Sequence, residues 1–189
     1  MARLASSVRR AHPLRIVLGA GGLKVPGWIE TDIDTLDLLD ERSWRRWFEP
    51  DSVDAMLAEH VWEHLSADDG LRAARLCHRY LRPGGCLRLA VPDGLHPDPA
   101  YRRQVRPGGD GPGACDHRVL FTFRTLTGLL TDAGFAVELL EYFDEAGRFN
   151  ARRLDPAHGP IRRSRDSDPR NAGGRLRYTS IIVDAVKPG

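Results

Sequence analysis

The residues best equipped for chemistry crowd into Glu59-His60-Val61-Trp62-Glu63-His64, two carboxylates and two imidazoles in one short run. Histidine titrates near neutral pH, so His60 and Glu63, at the mouth of a predicted strand, are candidates for acid/base work. His64 reads equally well as a satisfied histidine at a helix start. Residues 60–64, HVWEH, also fit the H-x-x-E-H pattern in which two histidines on one helical face bind zinc. Here His60 ends a strand and no later glutamate stands out as a third ligand, so no metal is expected.

Other candidates surround this corner. Asp93 and the pair Asp116-His117 complete a ring of polar groups, with His117 the better candidate for catalysis; Asp93-Gly94 also suits a turn and Asp116 a helix cap. Gly19-Ala20-Gly21-Gly22 follows a short apolar run, and Gly19, Gly21 and Gly22 let backbone approach a ligand that a Cβ would meet. A plain turn explains the glycines equally well. Asp32, at the end of the next strand, adds a carboxylate able to accept from two ribose hydroxyls. The dinucleotide fingerprint G-x-G-x-x-G is incomplete, and the interval from Gly19 to Asp32 is short for it. Arg148, Arg152, Arg153, Arg162, Arg163, Arg165 and Arg170 share one connection, which is either a solvated loop or a grip for a carboxylate or phosphate.

Alternating elements must position these groups. Strands are predicted at Arg15–Leu18, Trp28–Ile33, Val53–Ala58, Leu87–Val91, Phe135–Tyr142 and Tyr178–Val186. Residues 36–48, with Trp44, Trp47 and Phe48, predict a short helix or an irregular third strand. A helix starting at Ser66 carries an apolar stripe of Leu71, Ala74, Cys77, Tyr80 and Leu81 and ends at Pro83-Gly84-Gly85; Thr125–Ala133 is closed by Gly134. Residues 101–115 read as a mobile crossing loop, residues 1–13 as a flexible N-terminus and residues 143–177 as a long arginine-rich connection. Strands separated by helices argue for a mostly parallel sheet covered by helices on both faces, with the last two strands forming an antiparallel hairpin at one edge.

The 189 residues suit a single domain. A formal net charge of +2 gives no reason to expect nucleic acid, and no apolar run is long enough for a membrane helix, so a cytoplasmic protein without nucleic-acid or membrane partners is expected. Cys77, Cys86 and Cys115 lack C-x-x-C spacing and read as reduced thiols.

The glycine turn followed by PGWIETDID, DSVDAML, EHVWEHL, LRPGGCLRLAVPD, DHRVLFTFRTLTGLLTDAGF and TSIIVDAVKPG resembles a branch of small class I S-adenosylmethionine (SAM)-dependent methyltransferases, of the type 11-like kind. The resemblance implies one Rossmann-like α/β domain and SAM as cofactor. It assigns Gly19, Ala20 and Gly21 to the methionine part, Asp32 to the ribose, Asp37 or Leu38 to the adenine surroundings, and Glu59 and His60 to the strand end beside the cofactor. Two features depart from the pattern: Val17-Leu18 stands where an acid often precedes the first glycine, and the third strand is blurred. The leading expectation is methyl transfer to a small, anionic molecule, with His60, Glu63 and His117 as catalytic groups. The alternatives are an intramolecular cyclisation or elimination on the same fold, with or without SAM, and a non-catalytic subunit. A protein partner or a homodimer stays open.

Overall fold

A computed structural model describes Val8 and residues 12–189, so most of the N-terminal stretch expected to be flexible lies outside the described residues. Seven strands form one sheet: β1 (Arg15–Leu18), β2 (Ile29–Glu30), β3 (Val53–Glu59), β4 (Leu81–Pro92), β5 (Ala136–Phe143), β6 (Phe149–Ala151) and β7 (Ser180–Val186). Their order is β2-β1-β3-β4-β7-β5-β6. The first four run parallel, while β7 lies antiparallel between β4 and β5, and β6 pairs antiparallel with β5. The mostly parallel α/β sheet with an antiparallel C-terminal part is therefore as the sequence implies. One detail differs: the edge hairpin is β5–β6, and β7 is a nearly fully buried inner strand. Its SIIVDAV run packs on both faces, which suits an interior position.

The helices are α1 (Glu41–Arg45), α2 (Ala67–Tyr80), α3 (Pro99–Val105) and α4 (Phe123–Asp132). Residues 36–48 thus resolve as a short helix and not a strand. Trp44 is fully buried and stacks on Tyr80, with ring centroids 5.1 Å apart, so it belongs to the core. Ser66 caps α2 as its sequence predicts, its Oγ accepting from Asp69 N at 3.1 Å. Residues 101–105, read as the start of a mobile loop, belong to α3, which begins at Pro99 because Asp98 caps Ala100 N and Pro99 is preset for a first helical turn.

Side chains alternate across the strands, and the two faces are covered differently. Ile16, Leu18, Met56, Leu87, Leu89 and Val183 meet the helix residues Ala73, Ala74, Cys77, Leu126 and Leu130. On the opposite face Val17, Leu57, Ala90 and Ile182 meet Val25 and Ile161, with Trp28 and Leu154 at the margin. The expectation of helices on both faces fails here, because the arginine-rich connection forms the second cover. A buried ion pair pins it. Arg88 Nε and Nη2 donate to Asp184 Oδ1 and Oδ2, both at 2.7 Å, and Arg88 Nη1 reaches the carbonyls of Asp155 (2.8 Å) and Gly159 (2.7 Å). Further along, buried Asn171 donates to the carbonyls of Ser164, Arg165 and Tyr178 and accepts from the N–H groups of Arg177 and Tyr178. A segment whose sequence looks solvated is thus ordered by polar groups turned inward.

Candidate active site

The carboxyl ends of β1, β2 and β3 open on one cavity of about 300 Å³, lined by Gly19, Asp32, Ile33, Leu36, Asp37, Leu38, Leu39, His60, Val61, His64 and Leu65. Gly19 has a φ of +57°, and a Cβ on it would stand 2.7 Å from Val61 Cγ2, so both its turn and its contact demand glycine. Thr31 Oγ1 donates to Val17 O at 2.8 Å and holds β2 against β1 just before Asp32. The Asp32 carboxylate is exposed; its oxygens accept from Gly21 N (3.0 Å) and Ile33 N (2.9 Å), which fixes its direction and leaves a lone pair on each oxygen.

Of the residues the resemblance assigns to the cofactor, Gly19, Asp32, Asp37 and Leu38 share this cavity. Gly21 is beside it, tied to Asp32. Ala20 is turned the other way: it is 7% exposed, packs in the opposite cluster, and its N–H donates to Thr31 O at 2.9 Å. Glu59 is also corrected. Its buried carboxylate accepts from Arg162 N (3.3 Å) and Arg163 N (2.9 Å) and pairs with both guanidinium groups, so it clamps the connection onto β3. Alternation along β3 carries it to the face away from the helices. Ile33, Leu36, Val61 and Leu65 escaped the sequence reading; Ile33, 74% exposed, is the large hydrophobic side chain left open to solvent among the described residues.

A second cavity of about 320 Å³ adjoins the first and is lined by His60, Glu63, His64, Gln104, Val105, Gly111, Pro112, Gly113, His117, Arg163, Arg170 and Tyr178. His60 and His64 line both. His60 sits at a φ of +58°, a left-handed conformation rare for a side-chain-bearing residue and often found at functional sites. The kink ends β3 and brings His60 Nε2 to 2.9 Å from Ser180 Oγ. Burial first, then the positive charge of Arg163 and Arg170, push its pKa well below the ordinary histidine range, so the ring is neutral at pH 7.

Glu63 lies on a short 3₁₀ turn, Trp62–His64, anchored by Trp62, whose Nε1 donates to Gly70 O at 3.1 Å. Its carboxylate is fully buried, and burial pushes its pKa up to about 8. Oε1 lies 3.2 Å from His60 Nδ1, but off the line a hydrogen bond requires, and neither oxygen has a hydrogen-bond partner. The Glu63 carbonyl accepts from Arg118 N (2.7 Å) and Val119 N (3.2 Å), drawing the following loop against this turn. His117 arrives by that route. Its Nδ1 donates to Val105 O at 2.7 Å, so in the neutral ring the lone pair is on Nε2. His117 and His64 meet edge to face at 4.7 Å. Asp93, outside both cavities, is structural: fully buried, it accepts from Leu95 N and Phe143 N, and burial raises its pKa to about 6.

Arg163 and Arg170 supply positive charge to the second cavity. Arg163 uses Nη1 on Glu59 and Arg170 uses Nε and Nη2 on Asp168, so each guanidinium keeps donors for a ligand. Arg170 also covers the Tyr178 ring at 3.4 Å.

Residues 28–89 match the family model described as a methyltransferase domain. Similar solved structures include a SAM-dependent methyltransferase of Thermotoga maritima, titled a possible histamine N-methyltransferase (15% identity, TM-score 0.54, 98% of this chain and 89% of that one). A SAM-dependent methyltransferase from Mesorhizobium loti is 17% identical (TM-score 0.54, 98% and 96% covered). A chain from the complex of the Haloferax volcanii Trm112 methyltransferase activator with a methyltransferase is 13% identical (TM-score 0.54, 97% and 87% covered). No curated protein matches the sequence. The fold is that of the class I SAM-dependent methyltransferases. The sequence match to a methyltransferase domain is confined to residues 28–89, and the structural likeness extends the shared fold over nearly the whole chain. Among the described residues no helix is long and apolar enough to cross a membrane.

Proposed function

We propose that the protein binds SAM in the cavity beneath Gly19 and Asp32 and methylates a small anionic molecule held in the adjoining cavity. The observation that carries this reading is the shared wall: His60 and His64 line both cavities, so two ligands would meet there. The donor side fits SAM. Asp32 has free lone pairs for ribose hydroxyls, and Ile33, Leu36, Leu38 and Leu65 offer an apolar surface suited to a flat adenine ring. SAM, when bound, supplies an electrophilic methyl group.

The chain's own contribution is chiefly placement. Arg163 and Arg170 hold the acceptor's negative charge, and Tyr178 closes that side. The kink at His60 sets the dividing wall, with Nε2 held at Ser180 Oγ. Of the candidate groups His60, Glu63 and His117, the acceptor's proton passes to His117 Nε2, whose lone pair is uncommitted in the neutral ring. A neutral His60 and a protonated Glu63 avoid adding charge beside a sulfonium. Partner binding, suggested by the likeness to a chain from the Trm112 complex, is read by size-exclusion chromatography of the full chain.

Equilibrium binding of SAM to wild type and Asp32→Ala tests the reading. Asp32→Ala removes two charge-assisted hydrogen bonds of about 1.5 kcal/mol or more each, so affinity is expected to fall roughly a hundredfold or further. Absence of SAM binding to the wild type, or equal binding by the variant, sinks it.

A further inference from the structure

Among the described residues, Glu63, His64 and His117 place one potential ligand atom each within 4.8 Å of one another, on the wall of the acceptor cavity. Every feature that makes this group costly as an empty arrangement suits it to an ion. Both Glu63 oxygens are buried without a hydrogen-bond partner, and so is His64 Nδ1, which lies 3.3 Å from Asp116 Oδ2 but outside hydrogen-bond geometry. Leaving such groups unpaired in the interior is destabilising, and a bound ion removes that cost. His117 has its Nδ1–H committed to Val105 O, the outer contact that orients a metal-binding imidazole and leaves the other nitrogen free. The loop that delivers His117 is tied at Arg118 and Val119 to the carbonyl of Glu63 itself, so the two halves of the group are held together by backbone.

We propose that Glu63, His64 and His117 bind a single first-row divalent transition metal ion, with open coordination positions facing the acceptor cavity. Two imidazoles and one carboxylate are a ligand set that zinc and its neighbours accept, and three protein ligands leave room for an exogenous oxygen. Ligand atoms on a tetrahedral ion stand roughly 3.3 Å apart, so side-chain rotation draws the group inward on binding. The H-x-x-E-H spacing points to a different trio from the one that forms. His60, the first histidine of that pattern, has Nε2 engaged with Ser180 Oγ and Nδ1 3.2 Å from Glu63 Oε1, so it borders the group from behind the carboxylate, and the glutamate becomes a ligand. The second cluster with suitable atoms, Cys86, His158 and Asp184, is already served: Arg88 holds Asp184 through both oxygens.

This rests on the acceptor-cavity reading and changes two roles within it: with an ion bound, His117 is a ligand and not the base, Glu63 is ionised, and the ion would hold an oxygen of the acceptor directly. Its binding, however, is testable without activity or SAM. Chelator-treated full-length protein is titrated with Co²⁺, read by the absorption bands of the four- or five-coordinate ion, and with Zn²⁺ by calorimetry. One equivalent is expected, with affinity falling at least tenfold in Glu63→Gln and in His117→Ala, and unchanged in His158→Ala. His117 is only half-buried, so its variant should fold even if Glu63→Gln does not. No saturable Co²⁺ spectrum in the wild type, or binding lost in His158→Ala and kept in His117→Ala, overturns the proposal. SAM binding measured on the same samples separates the two readings: intact SAM binding without metal rejects the ion alone, and metal binding without SAM rejects the methyltransferase reading alone.

Discussion

Replacing Arg88 by Leu probes how the arginine-rich connection is held. Arg88 is fully buried and makes two 2.7 Å bonds to Asp184, itself 4% exposed, so the variant strands a carboxylate inside the sheet. Removing one partner of a buried pair typically costs about 3–5 kcal/mol. The carbonyls of Asp155 and Gly159 also lose their donor, but they belong to a surface segment that water can reach once it loosens. His158 Nδ1, 2.7 Å from Asp184 Oδ2, remains as a partner, so the lower part of that range is expected, about 3 kcal/mol. For a chain of this size that lowers Tm by roughly 6–12 °C in differential scanning calorimetry. Arg88→Met combined with Asp184→Leu removes both charges and should recover most of the loss, to within ~1–2 kcal/mol of wild type. Hydrogen exchange of residues 152–163 should accelerate in the single variant. A Tm drop under about 2 °C for Arg88→Leu, or a double variant as unstable as the single, would refute the argument that this pair pins the second cover.

Two further predictions concern charge and backbone. Burial pushes the Glu141 carboxyl up to about 7, against the opposing hydrogen bond from Arg165 N. A raised folded pKa means the native state holds the proton longer, so this contribution is complete below the ordinary carboxylate range and is lost as pH rises through about 7. Denaturant unfolding should therefore find Glu141→Gln gaining on wild type between about pH 5 and pH 8, and an unchanged difference over that window removes the argument. Gly19→Ala forces a φ of +57° on a residue with a Cβ and sets that Cβ 2.7 Å from Val61 Cγ2. About 1–2 kcal/mol of stability should be lost, and SAM affinity should fall as Val61 is pushed from the cavity wall; unchanged SAM affinity contradicts the placement of Gly19 at that wall.

Local chemistry made much of the fold legible. The serine before α2 and the apolar run of β1 depend on near neighbours, and both occur where their residue types place them. The Gly19 turn and Asp32 meet because β1 and β2 are adjacent parallel strands, a consequence of the alternating pattern. Glu59 could not be read the same way. Its neighbour His60 faces the cavities while Glu59 faces Arg162 and Arg163, more than a hundred positions later, and only the pleat of β3 separates those fates.

The sequence by itself determined β1, β3, the capped start of α2, the glycine turn and the polar corner, since each follows from residue type and short-range spacing. Only the tertiary structure decided that residues 143–177 replace a helix layer, because the pairing of Arg88 with Asp184 and the contacts of Asn171 are long-range and carry no local signal. Tertiary structure likewise decided which partners the corner has. His117 reaches Glu63 and His64 through the backbone bonds of a distant loop, and His60 Nε2 is engaged by Ser180, 120 positions later.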